Sequence, residues 1–335
     1  MTDHNYFVKM IALGPTSQEK NKPFTIYIVF FLCQYHMNSS LPHSSIILRM
    51  WPMNIKKADF AGSWYPGDPS GCEKEIRSFL ADPTIKTLSG RNFKAGIVPH
   101  AGWFFSGRLA CQVVKHLSNS EKPDVIAIFG KHMRPKDRPT IMVSGGFETP
   151  FGNIAIHEEL AAALTKALDL REEQAANAEP ENTIELQLPF IRYFFPDIPV
   201  VAMGVPPNPD AVHIGRKTVE IAGDMGLSIK IIGSTDLTHY GPNYGFAPQG
   251  EGQKGVRWVK ETNDPRMISL MLAMDCEKII GEALTSYNAC CGGAVAAAVS
   301  AAKALGADHG DLLAYTTSYD KSPSHSLVGY AGVVY

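Results

Sequence analysis

From Ile55 onward the chain alternates short apolar runs, rich in Ile and Val and closed by Gly or Pro, with longer stretches of helical periodicity. Runs of the first kind read as buried strands. Strand and helix in alternation predict a sheet covered by helices, because each helix buries one apolar stripe against it. The expected architecture is a single α/β domain over residues 55–335, with a mixed central sheet and helices on both faces.

Three of the apolar runs end in a histidine: Lys94-Ala-Gly-Ile-Val-Pro-His100, Asp124-Val-Ile-Ala-Ile-Phe-Gly-Lys-His132 and Ile229-Lys-Ile-Ile-Gly-Ser-Thr-Asp-Leu-Thr-His239. Open α/β sheets bind ligands just beyond the carboxyl ends of their strands. Side chains far apart in sequence can meet there, as a metal or acid/base site requires.

Bulk properties narrow the classes of function. The 335 residues carry 31 basic and 33 acidic side chains, and 45% of residues are apolar. That balance supports a sizeable core and offers no electrostatic case for nucleic acid or an anionic membrane. The six cysteines form no CxxC pair and no disulfide framework. Free thiols in a reducing cytoplasm are the expectation. The stretch from Phe24 to Cys33 is apolar, but its ten residues are too few for a membrane-spanning helix, which needs about 20. Residues 1–54 differ abruptly in composition from the rest, with Met37, Met50 and Met53 just ahead of the change. They are expected to be a poorly ordered, nonessential extension arising from start-codon choice.

Further elements follow from periodicity. Ser106 to Leu117 is predicted helical with Ser106 as N-cap, and so are Glu158 to Leu168 and Pro209 to Met225. Glu181 to Phe195 has Ile184, Leu188, Ile191 and Phe195 at helical spacing, with Pro189 predicting a kink or late start. Helices are expected near 252–262, 264–274 and 276–285, and over Cys291 to Leu305. Asp311 to Thr317 and Val328 to Val334 close the sheet.

Several residue types in this pattern carry chemistry. His100 lies in Pro99-His-Ala-Gly-Trp103, where Trp103, Phe104 and Phe105 could wall an apolar pocket. Lys131 and Arg134 flank His132 and could attract an anion, although solvated loop charges are commoner. Asp236 precedes His239 by three residues, a spacing suited to fixing a tautomer or to capping a helix. Cys291 begins a helix, where a thiol's pKa falls and thiolate is favoured; a buried packing cysteine is the bland alternative. Glu181, Asn182 and Glu185 could line the same cleft or simply face solvent. No P-loop, dinucleotide fingerprint or GxSxG elbow is present.

Taken in order, these segments resemble the Memo family, in particular its AmmeMemoRadiSam system protein B branch. The matching segments are Ala61-Gly-Ser-Trp-Tyr-Pro-Gly67, Pro99-His-Ala-Gly102, Ser106-Gly107, Glu148-Thr-Pro-Phe-Gly152, Glu181-Asn-Thr-Ile-Glu-Leu-Gln-Leu-Pro-Phe190, Ser234-Thr-Asp-Leu-Thr-His239, Asn288-Ala-Cys-Cys-Gly292 and Val328-Gly-Tyr-Ala331. The resemblance implies a fold like that of class III extradiol dioxygenases, with one metal-binding pocket. It implies His100, His132 and Cys291 as ligands of iron(II), with copper or zinc as alternatives, and Asp236 and His239 as the catalytic acid/base and orienting pair. Three departures stand out. Many members have Gly-Pro-x-His where this chain has Gly130-Lys-His132. Many have His in place of Asn182. The Arg-His-Pro that follows the cysteine in animal members is here Gly292-Gly293-Ala294. Cys290 also competes with Cys291 for the ligand role, and Cys291 is favoured because Gly292 follows it in the family pattern. Two histidines and a thiolate differ from the 2-His-1-carboxylate triad of non-haem iron oxygenases.

Three functions are thereby in view. The first is a metal-dependent redox or oxygenase-like protein acting on a small molecule. The second is a binding component working with a radical-SAM protein and an AMMECR-like partner. The third is a Cys–His hydrolase with Cys291 as nucleophile and His239 as base.

Overall fold

The structure is a computed structural model that describes residues 9–12, 26–29 and 54–335, apart from 86, 87, 89, 90, 120, 176 and 177. The chain divides into two units, residues 1–53 and 54–335. In the first, strands Lys9–Ala12 and Ile26–Val29 pair antiparallel. Met37, Met50, Met53 and the rest of the expected extension, including most of residues 24–33, lie outside the described residues.

The second unit is built on a nine-stranded sheet. Its strands are β1 Ala95–Val98, β2 Val125–Gly130, β3 Thr140–Met142, β4 Arg171–Glu173, β5 Val200–Gly204, β6 Ile229–Ser234, β7 His239–Tyr240, β8 Asp311–Thr317 and β9 Leu327–Val334. The order is β7-β9-β1-β6-β2-β5-β3-β4, with β8 also on β9. The inner four, β1, β6, β2 and β5, run parallel. Each is buried along its whole length, which explains why they read as continuous apolar runs rather than as alternating ones. Antiparallel β9 flanks them on one side and antiparallel β3 on the other, so the sheet is mixed as expected. A separate three-stranded sheet joins Ile55–Lys56, Gly146–Phe147 and Ile154–Ala155.

Helices cover both faces. Arg108–Ser118 packs on β1 and β9, while Gly292–Ala304 packs on β6 and against helix Asp210–Asp224. The Gly292–Ala304 helix is buried nearly throughout, and small residues let both neighbours approach its backbone. A Cβ added at Gly215 would lie 2.0 Å from the Ala297 carbonyl oxygen, and one at Gly233 would lie 2.6 Å from the Ala298 side chain. The run of Ala in the sequence is therefore the seam between sheet and outer helix.

Two local expectations change. Residues 181–195 resolve into helices Asn182–Glu185 and Leu188–Phe194, with Pro189 in the first turn of the second. Proline is tolerated there because that turn needs no N–H donor. Ser106 is not an N-cap: a π-helical turn, Trp103–Gly107, runs into the Arg108–Ser118 helix, and the Ser106 hydroxyl donates to Ala101 O at 3.0 Å. Among the described residues, no helix is long and apolar enough to cross a membrane.

Candidate metal centre

The parallel strands β1, β2 and β6 end on one edge of the sheet, and the start of the Gly292–Ala304 helix comes to the same edge. His100 follows β1 directly after Pro99 and is 1% exposed. Its Nδ1 lies 3.0 Å from Ser234 Oγ, and the Ser234 hydroxyl donates its single proton to Thr183 O at 2.7 Å. Ser234 must therefore accept from His100, which fixes a proton on Nδ1 and turns Nε2, a lone pair whenever the ring is neutral, toward the cluster.

The backbone around His100 is fixed as firmly. Its N–H donates to Asp236 Oδ1 at 2.7 Å, and its carbonyl accepts from Asn182 Nδ2 at 3.0 Å. The Gln187 amide donates to Pro99 O at 3.0 Å. Residues 181–187 thus form the platform under His100, while Glu181 and Glu185 also line a pocket beside Lys56, Lys131 and Glu173. Glu181 caps its own helix, accepting from the N–H groups of Thr183 and Ile184. Buried Glu185 binds the N–H groups of Asp59 and Phe60 and the Tyr65 hydroxyl, tying down the 59–65 segment.

His132 reaches the same point by another device. Gly130 passes so close to Thr183 that an added Cβ would lie 2.4 Å from its Oγ1. Lys131 then takes φ 70°, with its N–H donated to Thr183 Oγ1 at 2.7 Å. That left-handed step turns His132 back over His100, with ring centroids 5.1 Å apart and nearly perpendicular. The Lys131 ammonium is paired with Glu173, so it is committed to the fold and not to an anionic ligand.

Both cysteines arrive with these histidines. Tyr287, also left-handed, ends helix Cys276–Ser286, and residues 288–291 lead into the next helix. Cys290 Sγ lies 3.2 Å from His100 Nε2 and 3.8 Å from Cys291 Sγ. Donor atoms of His100, His132, Cys290 and Cys291 all fall within 4.8 Å of one another. Asp236 sits at the back, its Oδ2 3.9 Å from His100 Nε2.

The electrostatics favour positive charge at this point. Burial alone would lower the His100 pKa, but Asp236 and Cys290 outweigh it and lift it to about 9. Burial would likewise raise the Cys290 thiol, yet the Cys291 thiol, His100 and His132 hold it well below the ordinary cysteine range. Burial and the Cys290 sulfur push the Cys291 thiol well above that range. Position at a helix start points to Cys291 as the acidic thiol. The neighbouring imidazoles decide the matter for Cys290 instead, because charges in contact outweigh a partial helix dipole.

Asp236 and His239 are placed differently from the sequence-based expectation. No helix follows Asp236 to be capped, and its carboxylate serves His100. The contact on His239 Nδ1 is Leu237 O, at 3.2 Å, and the ring stands edge-on to Tyr244 with centroids 4.9 Å apart. His239 remains close enough for its charge to act on Asp236. Thr183 and Ser234, which orient both histidines, lie within segments that carry the family resemblance, but nothing in those segments marks them as orienting residues. Only contacts across the fold reveal them.

The loop carrying Asp236 is anchored by Asp264 beneath it. The Thr238 N–H donates to Asp264 Oδ1 at 3.0 Å, the Thr238 hydroxyl donates to the same oxygen, and the Tyr315 hydroxyl donates to Oδ2 at 2.7 Å. Burial, partly offset by these bonds, raises the Asp264 pKa from 3.8 to about 6. A carboxyl whose pKa is higher folded than unfolded stabilises the fold at low pH, and loses that contribution as pH rises through the two values. Asp264→Asn keeps an acceptor toward Thr238 and no longer titrates. Thermal melts should show the parent losing stability between about pH 4 and about pH 6 relative to Asp264→Asn; parallel profiles would remove Asp264 from this role.

An α/β sheet with imidazoles and thiols gathered at its parallel strand ends defines a class of metal-centre candidate. A family model described as Memo-like protein matches residues 56–334, and the chain belongs to that family. A MEMO1 family protein of Thermococcus onnurineus is 33% identical over 285 residues, covering 82% of this chain and 97% of its own length. One from Pyrococcus furiosus is 32% identical over 290 residues, covering 84% and 98%. One from Methanopyrus kandleri is 33% identical over 289 residues, covering 82% and 96%. Among solved structures, an uncharacterized protein of Escherichia coli K12 covers 72% of this chain and 99% of its own, at 11% identity and a TM-score of 0.48. That likeness is too loose to carry function.

Proposed function

We propose that this Memo-family protein holds one transition-metal ion on His100, His132 and Cys291 and uses it in redox chemistry on a small molecule. Iron(II) is the proposed ion, with copper as the redox-active alternative; zinc would occupy the same donors but would supply Lewis acidity alone. The observation that carries this reading is the convergence of two imidazoles and a cysteine pair from three distant segments within 4.8 Å. The donor set fits such an ion: His100 is held in the tautomer that presents Nε2, and nitrogen with thiolate suits borderline-soft metals. When bound, the ion supplies Lewis acidity and one-electron chemistry.

The protein's own groups supply orientation and proton handling. Ser234 and Thr183 hold His100, and Asp236 offers negative charge behind it. His239 donates from Nδ1 to the Leu237 carbonyl, so its Nε2 is free to take a substrate proton. The test is dioxygen uptake by metal-loaded protein with a panel of phenolic reductants, beside His239→Gln. The variant should keep its full metal content while uptake falls by about 10²–10⁴-fold. Equal uptake by parent and variant would remove His239 from the mechanism, and a parent without metal would end the reading.

A further inference from the structure

We propose that Cys290 is a fourth ligand, so that the resting centre of this chain is a closed two-histidine, two-thiolate tetrahedron. The inference deepens the metal-binding reading above and rests on it. A tetrahedral ion with metal–sulfur bonds of about 2.3 Å and metal–nitrogen bonds of about 2.0 Å has S···S edges of about 3.8 Å and N···S edges of about 3.5 Å. Cys290 and Cys291 place their sulfurs 3.8 Å apart, and Cys290 Sγ lies 3.2 Å from His100 Nε2. Adjacent residues on an extended strand point to opposite faces. These two point to one centre because Cys290 ends the connecting loop while Cys291, at φ −124° and ψ 54°, is the N-cap of the next helix.

The surroundings hold both sulfurs in place. The Cys290 N–H donates to the Asp236 carbonyl at 3.1 Å, which joins the two loops through their backbones. The Asp236 N–H donates in return to Cys290 Sγ at 3.3 Å. The Cys291 N–H donates to Thr235 Oγ1 at 3.1 Å. A backbone donor on a ligating sulfur stabilises its thiolate and fixes its direction. His132, exposed at the mouth, supplies the fourth corner. Such a centre selects thiophilic ions of tetrahedral habit. It leaves no open position at rest, so a substrate reaches the ion by adding a fifth ligand or displacing one of the four.

The full chain, loaded with zinc(II), gives the direct test by X-ray absorption. Two sulfur scatterers at about 2.3 Å support the proposal, and one sulfur overturns it while the metal-binding reading stands. Failure of the parent to retain zinc(II) overturns both. Cobalt(II) loading is the second measurement, made on the parent, Cys290→Ser and Cys291→Ser. The sulfur-to-cobalt charge-transfer band should fall by about half in each variant, with cobalt affinity lower by about tenfold or more. A Cys290→Ser spectrum and affinity equal to the parent's would overturn the fourth ligand. The zinc measurement needs no variant, so it decides the question even if a substitution disturbs folding.

Discussion

His100→Ala protein is expected to purify without its metal ion, where the parent carries about one per chain. The size of the effect follows from how His100 is held. Its ring is almost fully buried, and its proton is committed to Ser234. Its Nε2 is thus presented without loss of side-chain freedom on binding. Alanine removes the imidazole and leaves Asp236 without the ring it serves. Elemental analysis after anaerobic purification reads the result, with circular dichroism to show that the fold persists. A graded control sits one step back: Ser234→Ala keeps all the donors but frees the ring, and should cost about 10–100-fold in affinity. Full metal retention by His100→Ala would reject the site.

Trp103→Ala is expected to be the most destabilising single truncation near the site, at about 3–5 kcal/mol. Trp103 is 1% exposed. Its ring stacks on Phe190 with centroids 4.1 Å apart and an 11° angle, and meets Phe79 edge-on at 5.9 Å. Its indole N–H donates to Leu186 O at 3.2 Å. Truncation leaves a cavity and strips a buried carbonyl of its donor, and the two costs add. Although Trp103 stands three residues after His100, its contacts are structural: it clamps the π-helical turn to the helix pair that supports the site. Chemical denaturation reads the free energy, and the melting temperature should fall by on the order of 10 °C. A loss below about 1 kcal/mol would show that the aromatic stack is dispensable.

The aromatic segment shows where sequence reading reached its limit. Trp103, Phe104 and Phe105 look alike as candidates for a pocket wall. In the structure Trp103 is core, while Phe104 is 63% exposed. Three consecutive residues on a helical turn point in different directions, and only the neighbouring elements decide which direction is inward. The same applies to Glu181 and Glu185, at the cap and the end of one short helix: one caps that helix and the other ties down a segment 120 residues earlier in the chain.

Strand and helix placement was legible from the sequence because burial on both sides of a parallel strand demands a continuous apolar run. The same periodicity placed His100 and His132 beyond the carboxyl ends of β1 and β2. The order of strands was not legible, since β6 enters between β1 and β2 from a segment about a hundred residues further on, and local pattern carries no record of that pairing. That insertion brings Ser234 under His100 and Asp236 beside it. Residue order alone thus establishes the inventory of donors, two histidines at strand ends and a cysteine pair at a helix start. Which nitrogen faces inward, which thiol is acidic and what orients each are set by long-range contacts, because hydrogen bonds and burial depend on neighbours that the chain supplies from far away.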